Sequence, residues 1–459
     1  MSLRSQTFSP ILLYPPAQIL YPFQEEAVNK MLHFLHSNET HSTYNACEQG
    51  LGKSIQTIVA CNTAKFKKVL IICPAIMRLV WDREITAWST LRGLTTYICE
   101  PKKPKTNLLS PDQKQPSYII CSYDLARTSK VCKVLSNFMY DAIVFDEAHY
   151  CKNTAAMRTK TAFGKLWHCA RYHILLSGTP FTQSVVDGYS PFHKILPSAF
   201  PDFQSFVNRY AFSRITPYGT QYFGLNNQEE LRGIIRKNFY LRYTKKEVLP
   251  ELPDKIYQKI ILPCRYAVVP ETKNKAKEIE VDLELLRRSL DNNEYMPIPT
   301  TLAEHRRIQG EKKLPPIYEF LKSQADSNIP TVVFAHHREV IRQLKNLLSD
   351  YQPSVVTGGT PMSERQTAID KFQSGENNLF IGQFIAAGTG ITLTRAQAVV
   401  LAELDWSPSV LTQAIDRVHR IGQKNSILVY YFTVEHSLDE RIGNILMSKI
   451  KTFKSITEN

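Results

Sequence analysis

The chain has 459 residues, 43% of them hydrophobic and 21% charged, with a formal net charge of +14. No stretch approaches the roughly 18 to 20 unbroken apolar residues of a membrane span, and Pro10, Pro15 and Pro16 break the N-terminal segment that a signal peptide would need. An intracellular protein of two or three domains with a polyanionic partner, nucleic acid first, is therefore expected, the competing reading being a merely basic enzyme. The 9 cysteines include no Cys-x-x-Cys pair and all fall between Cys47 and Cys264. That excludes metal-ligand spacing and reads as buried thiols in a reducing compartment.

A polar run, Ser37 to Asn45, leads into Ala46-Cys47-Glu48-Gln49-Gly50-Leu51-Gly52-Lys53-Ser54 and a helix-like segment, Ile55 to Ala60. Gly-x-Gly-Lys-Ser is the spacing of a phosphate-binding loop. Its glycines let backbone N–H groups turn inward, and the helix N-terminus adds partial positive charge. Lys53 would reach the β- and γ-phosphates and Ser54 would hold Mg²⁺. The strict pattern begins with Gly where this chain has Cys47, so an ordinary glycine-rich turn competes.

Apolar runs then alternate with helix-like segments: Lys68–Pro74, Ser117–Ser122, Asp141–Asp146 and His173–Ser177. This alternation predicts an α/β fold, a parallel sheet covered by helices, with chemistry at the strand ends. Asp146-Glu147-Ala148-His149 closes one strand. Acidic residues there suit Mg²⁺ binding by Asp146, mostly through water, and orientation or deprotonation of an attacking water by Glu147. A solvated turn is the alternative. Ser177-Gly178-Thr179-Pro180 closes another strand and by itself signals only a turn.

The region from about Ser184 to Leu314 differs, with few strand-like runs before Ile256–Leu262. Thr272–Leu290 predicts a helix with Ile279, Leu283, Leu286 and Leu290 on one face, and Asn292–Thr301 a linker. Arg236–Arg242 mixes basic and aromatic residues and fits either a DNA contact or an amphipathic helix. A second α/β block follows: Thr331–Ala335, Asn378–Gly382, Ala398–Ala402 and Ser426–Phe432. Near its end comes Gln413-Ala414-Ile415-Asp416-Arg417-Val418-His419-Arg420-Ile421-Gly422-Gln423. Arg417 and Arg420 share a face if the segment is helical. Their guanidiniums suit charge on a transferring phosphoryl group, or form a plain basic helix end.

In this order the motifs resemble those of the Swi/Snf-type ATPases of helicase superfamily two, over Leu20 to Ile450. Leu20-Tyr21-Pro22-Phe23-Gln24 is similar to the family's adenine-reading motif, Leu241–Val248 to its Leu-Arg-Arg-x-Lys block, and Asp405-Trp406-Ser407-Pro408 to its Asp-x-Trp-Asn-Pro element. The wording is nearest the annealing-helicase (HARP-like) branch, on Val333–His337, Ala386–Leu393 and Leu401–Trp406. Cys47 stands where the family has Asp, Gln49 where Met is usual and Tyr243 where Arg is expected. Tyr243 puts a basic contact of that block in doubt.

The resemblance implies two RecA-like P-loop lobes with a helical insertion: a first lobe at 1–185, insertion and linker at 186–313, and a second lobe at 314–459. It implies an ATP- and Mg²⁺-dependent, DNA-stimulated ATPase that moves on double-stranded or branched DNA as a monomeric motor, in the cytoplasm, on the nucleoid or in a nucleus. Strand reannealing is the finer expectation; a strand-separating DNA or RNA helicase and a binding scaffold with an inactive site are the alternatives. It implies nucleotide contacts from Gln24, Gly50, Leu51, Gly52, Lys53, Ser54 and Gly390, and catalytic roles for Lys53, Asp146, Glu147, Gln413, Arg417 and Arg420. It places Pro74, Ser122, Tyr123, His336, Gly388, Thr389 and Trp406 along the DNA.

Overall fold

Alternating apolar strands and helices fold into two parallel sheets. The computed structural model describes residues 12–37, 39–100, 117–178, 180, 185–216, 219–270, 272–291, 299–387, 391–405, 408–437 and 439–444. The chain divides into two compact units, Met1–Val248 and Leu249–Asn459. That boundary falls inside the segment 186–313.

In the first unit, β1 (Ser42–Asn45), β2 (Lys68–Cys73), β3 (Thr95–Ile98), β4 (Ser117–Ser122), β5 (Tyr140–Asp146), β6 (Ala170–Leu176) and β9 (Tyr240–Leu241) form one sheet in the order β3-β4-β2-β5-β6-β1-β9. Every neighbouring pair is parallel. Crossover helices cover such sheets, so the middles of the central strands are apolar, and Ala142–Phe145 are fully buried. Phe145 meets Phe163 edge-on at 5.3 Å and stacks on Trp167 at 5.9 Å. Burial of each such ring contributes about 1.5–3 kcal/mol.

One strand escapes hydrophobic patterning. The polar run ends in β1, whose four residues Ser-Thr-Tyr-Asn are all buried near one edge of the sheet. Burying these groups requires partners. Asn45 Nδ2 donates to Gln56 Oε1 (2.6 Å), Asn45 Oδ1 accepts from Cys47 N (3.1 Å), and Ser42 Oγ donates to Thr40 O (2.9 Å). A further departure is the antiparallel hairpin of β7 (Phe212–Thr216) and β8 (Gly219–Phe223), where helix was expected. The helix Gln228–Asn238 stops before β9, so Phe239, Tyr240 and Leu241 are core residues.

In the second unit, β10 (Lys255–Leu262), β11 (Thr331–Ala335), β12 (Ser354–Val356), β13 (Leu379–Gln383), β14 (Ala398–Leu401) and β15 (Ile427–Val434) form a parallel sheet in the order β10-β15-β14-β11-β13-β12. The expected helix spans Lys273–Asp291 and buries Ile279 and Leu283; the side chains of Leu286 and Leu290 lie outside the described residues. The linker expected at Asn292–Thr301 lies mostly outside them too, and Thr300 and Thr301 begin the helix Thr300–Lys312. Among the described residues, no helix is long and apolar enough to cross a membrane. All the cysteines are free thiols; Cys264 is exposed, against expectation, and the other eight are buried.

Candidate functional site

Strand register assembles the site. Asn45 of β1 lies opposite Leu176 of β6, and Leu176 opposite Asp146 of β5. The phosphate loop, the Asp-Glu-Ala-His turn and Ser177-Gly178 therefore leave one sheet side by side at its C-terminal edge, where ligands of α/β sheets gather.

The loop enters a helix, α2 (Lys53–Thr63), through Gly52 at φ 82°. A side chain there would be strained, and its Cβ would lie 2.4 Å from Gln24 Nε2. Gln24 belongs to α1 (Pro22–Leu35) and is buried. Its Nε2 donates to Leu51 O (3.1 Å) and its Oε1 accepts from Tyr21 N (3.0 Å), tying α1 to the loop. Lys53 Nζ folds back across the loop, donating to the carbonyls of Cys47 (2.8 Å) and Glu48 (3.3 Å). Burial pushes the Cys47 thiol up to about 11, with the Lys53 charge acting against it, so this thiol is inert.

The upstream half of the loop is clamped by Leu241–Lys245. Ala46 N donates to Leu241 O (2.8 Å) and Glu48 N to Tyr243 O (2.9 Å). Arg242 Nη1 donates to Ala46 O (2.9 Å), and Glu48 Oε2 accepts from Lys245 N (2.8 Å). Sequence reading attached this block to basic contacts and missed the clamp. Its residues lie nearly two hundred positions from the loop, and only β1–β9 pairing joins them. Tyr243, at the expected Arg, accepts from Lys30 Nζ at 2.8 Å.

Asp146 ends β5 buried, and its Oδ2 accepts from Trp81 Nε1 at 2.9 Å. Trp81 lies on α3 (Arg78–Trp88) and is 1% exposed. Burial, then the neighbouring Glu147 charge, push the Asp146 carboxyl up to about 6, while Trp81 and Lys53 act against them. Glu147 takes a left-handed backbone, φ 50°, which is strained for a non-glycine residue and recurs at functional turns. Its Oε2 lies 3.3 Å from His149 Nδ1, and the same nitrogen lies 3.0 Å from Ser177 Oγ.

In the second unit, Gln413 is half-buried on the helix Pro408–Ile415. Arg417 and Arg420 lie past the end of that helix, so the shared helical face is not formed. The buried Asp416 that follows it pairs with Lys255 Nζ of β10 at 2.8 Å. The following turns are held by long-range bonds: Leu393 N to Arg417 O (2.9 Å), Arg420 Nη1 to Thr392 Oγ1 (2.6 Å), and Gln423 Nε2 to Ala396 O (2.9 Å).

Two domain families match the chain: SNF2-related domain over residues 23–289 and helicase conserved C-terminal domain over residues 312–422. The chain belongs to the SNF2-related family. It is 31% identical over 444 residues to the SWI/SNF-related matrix-associated actin-dependent regulator of chromatin subfamily A-like protein 1 of Xenopus tropicalis, covering 94% of this chain and 44% of that protein. It is 26% identical over 417 residues to the human DNA annealing helicase and endonuclease ZRANB3, covering 88% of this chain and 38% of the relative. The chain thus spans less than half the length of these relatives. A solved Sulfolobus solfataricus SWI2/SNF2 ATPase core in complex with dsDNA is similar at 24% identity with a TM-score of 0.45, covering 96% of this chain and 93% of that one.

The residues that the family resemblance assigned to DNA are spread through both units. Pro74 follows β2 and is buried. Ser122 is buried and caps a short helix by accepting from Leu125 N (3.3 Å). Tyr123 is also buried, donating its hydroxyl to Asp146 O (3.0 Å) and stacking on Tyr150 at 5.6 Å. Its ring packs in the core beneath the acidic turn. His336 follows β11 with its side chain 32% exposed and its Nδ1 3.0 Å from Asp405 Oδ2. Gly388, Thr389, Gly390, Trp406 and Thr179 lie outside the described residues.

Proposed function

We propose that the chain is an ATP-driven DNA motor that hydrolyses ATP to ADP and phosphate and moves on double-stranded or branched DNA. The observation that carries this is the convergence of Lys53, Ser54, Asp146, Glu147 and Ser177 at one sheet edge in a chain of the SNF2-related family. The net charge of +14 suits a phosphate-lined track, and binding there is expected to be salt-sensitive and weakly sequence-specific. By its likeness to an annealing helicase, reannealing of strands is the finer activity proposed, in the compartment that holds DNA.

Lys53 would leave the Cys47 and Glu48 carbonyls for the phosphates, joined by N–H groups of Gly50–Gly52 and the α2 N-terminus. Gln24, already holding Leu51, would read the base. Glu147 would take the proton of the attacking water, oriented by His149. Arg417, Arg420 and Gln413 are proposed to offset charge on the transferred phosphoryl group, a role worth several powers of ten in rate. Ser54 and Asp146 fit Mg²⁺, since a hydroxyl and a carboxylate are hard oxygen donors and this ion takes few protein ligands beside phosphates. Among the described residues, no group of three or more His, Cys, Asp or Glu forms a protein-built cage that would favour another metal. Mg²⁺ bound there would neutralise phosphate charge.

The test is an ATPase titration against single-stranded, duplex and forked DNA and RNA. Duplex or forked DNA should raise the rate most. Lys53→Ala and Glu147→Gln should abolish it, and Arg420→Ala should lower it at least a hundredfold. A rate that no DNA raises overturns the motor reading. An Arg420→Ala protein with normal turnover overturns that residue's role.

A further inference from the structure

Gln49 sits in the middle of the phosphate loop, 6% exposed, and neither its Oε1 nor its Nε2 has a hydrogen-bond partner among the described residues. The two neighbouring glutamines behave differently: Gln24 and Gln56 both donate to Leu51 O. A buried amide with both ends unsatisfied is a standing cost that an apolar side chain of the same size would avoid. Its position gives the cost a purpose. A Cβ on Gly178 would lie 2.4 Å from Gln49 Cγ and 3.3 Å from Lys53 Nζ. Gln49 and Lys53 therefore converge on the same point beside Gly178, the residue after Ser177.

This point is at the catalytic end of the loop. Gln24 approaches Gly52 and Leu51 from α1, whereas Gly178 follows the Ser177 hydroxyl that meets His149 of the acidic turn. Lys53 is at present held by the Cys47 and Glu48 carbonyls. When it turns to phosphate, Lys53 moves from a point that the Gln49 Cγ also closes on, so the Gln49 amide lies one bond beyond that point, within reach of the same phosphate.

We propose that Gln49 is a substrate-contacting residue whose Nε2–H donates to the terminal phosphoryl group of a bound nucleoside triphosphate, so that the loop distinguishes triphosphate from diphosphate. This rests on the ATP-hydrolysing reading above. The contact exists only while the terminal phosphate is present, and its loss on hydrolysis returns the amide to its unpartnered state. Binding energy is thereby concentrated on the triphosphate and product release is favoured.

Gln49→Met removes both polar atoms at similar length, and Gln49→Glu keeps the shape while placing a negative charge beside phosphate. The full chain is titrated with ADP and with a slowly hydrolysed ATP analogue, and melted without nucleotide. Gln49→Met should bind the triphosphate analogue about tenfold or more weakly with ADP affinity held within about twofold, the loss of one hydrogen bond to a charged group. Its nucleotide-free Tm should rise by a few degrees, about 2–4 °C, since the unsatisfied amide is gone. Gln49→Glu should lose triphosphate affinity more steeply than ADP affinity. Equal affinities in wild type and both variants, or parallel loss for both nucleotides, overturn the proposal alone. A wild-type chain that binds no triphosphate overturns the functional reading and this inference with it.

Discussion

His149 Nδ1 lies 3.0 Å from Ser177 Oγ, joining the acidic turn after β5 to the turn after β6. The same nitrogen is 3.3 Å from Glu147 Oε2. One imidazole thus spans the proposed base and the neighbouring strand end. Replacing it should disturb the orientation of Glu147 more than the fold, because the ring is only one layer of an already paired sheet edge. His149→Ala is expected to lower kcat about tenfold or more with KM within about twofold, the signature of a contact used in the transition state. Steady-state ATPase kinetics alongside a thermal melt check this; an equal loss in kcat and in stability would make the residue structural.

Glu48 holds the clamp, its N–H bound to Tyr243 O and its Oε2 accepting from Lys245 N. Glu48→Ala keeps the first bond and removes the second. A bond to a charged group contributes about 1.5–3 kcal/mol, so nucleotide affinity should fall about tenfold or more. Hydrogen exchange at Cys47–Gly50 should speed up in the nucleotide-free variant.

Glu403 is a buried hub of the second unit, 2% exposed, accepting from the backbone N–H groups of His336 (2.8 Å) and His337 (2.9 Å) and lying 2.6 Å from His337 Nδ1. The charge of buried Arg306 acts on it as well. Removing one member of a buried charged network costs about 3–5 kcal/mol. Glu403→Leu should therefore destabilise β11 and β14 by that order, read as faster hydrogen exchange there, while Glu403→Gln should cost less. Unchanged exchange in Glu403→Leu would refute the hub.

His173 on β6 stacks on Trp167 at 3.7 Å, with its Nε2 2.8 Å from Trp167 O. Burial holds the imidazole down at about 4, against an ordinary 6.5, with the Trp167 carbonyl acting the other way. The folded chain therefore binds fewer protons here than the unfolded chain between these values. Stability from this group is full above pH 6.5 and falls as pH drops towards 4, by an order of 3 kcal/mol. Thermal melts from pH 7 to 4 should show a steeper decline for wild type than for His173→Phe; parallel declines would contradict the assignment.

Much of the site was legible because its parts are local. Gly50-Leu51-Gly52-Lys53-Ser54 encodes a turn and a helix start within five positions, and Asp146-Glu147 directly ends an apolar run. The strands Lys68–Cys73, Ser117–Ser122 and Thr331–Ala335 show in the sequence because both faces of their middles are buried, leaving the unbroken apolar runs Val69–Cys73, Tyr118–Cys121 and Val332–Ala335. β1 did not show, since it is polar in sequence yet buried, with Asn45 tied to Gln56 and to Cys47 N and Ser42 to Thr40 O, bonds that pattern reading does not see. The helical face considered for Arg417 and Arg420 did not form: the helix stops at Ile415, and distant residues hold the turns after it, Leu393 N bonding Arg417 O and Thr392 Oγ1 accepting from Arg420 Nη1.

The sequence by itself determined the class of chemistry. Phosphate-loop spacing, an acidic strand end and the order of motifs are short-range or ordinal features that survive without coordinates. Tertiary structure alone decided what each side chain does at present. It turned Lys53 onto the Cys47 and Glu48 carbonyls, paired Trp81 with Asp146 and brought Leu241–Lys245 against the loop. It also left the Gln49 amide buried without a partner among the described residues. Those outcomes depend on strand register and on which polar groups burial forces together, and no local pattern contains either.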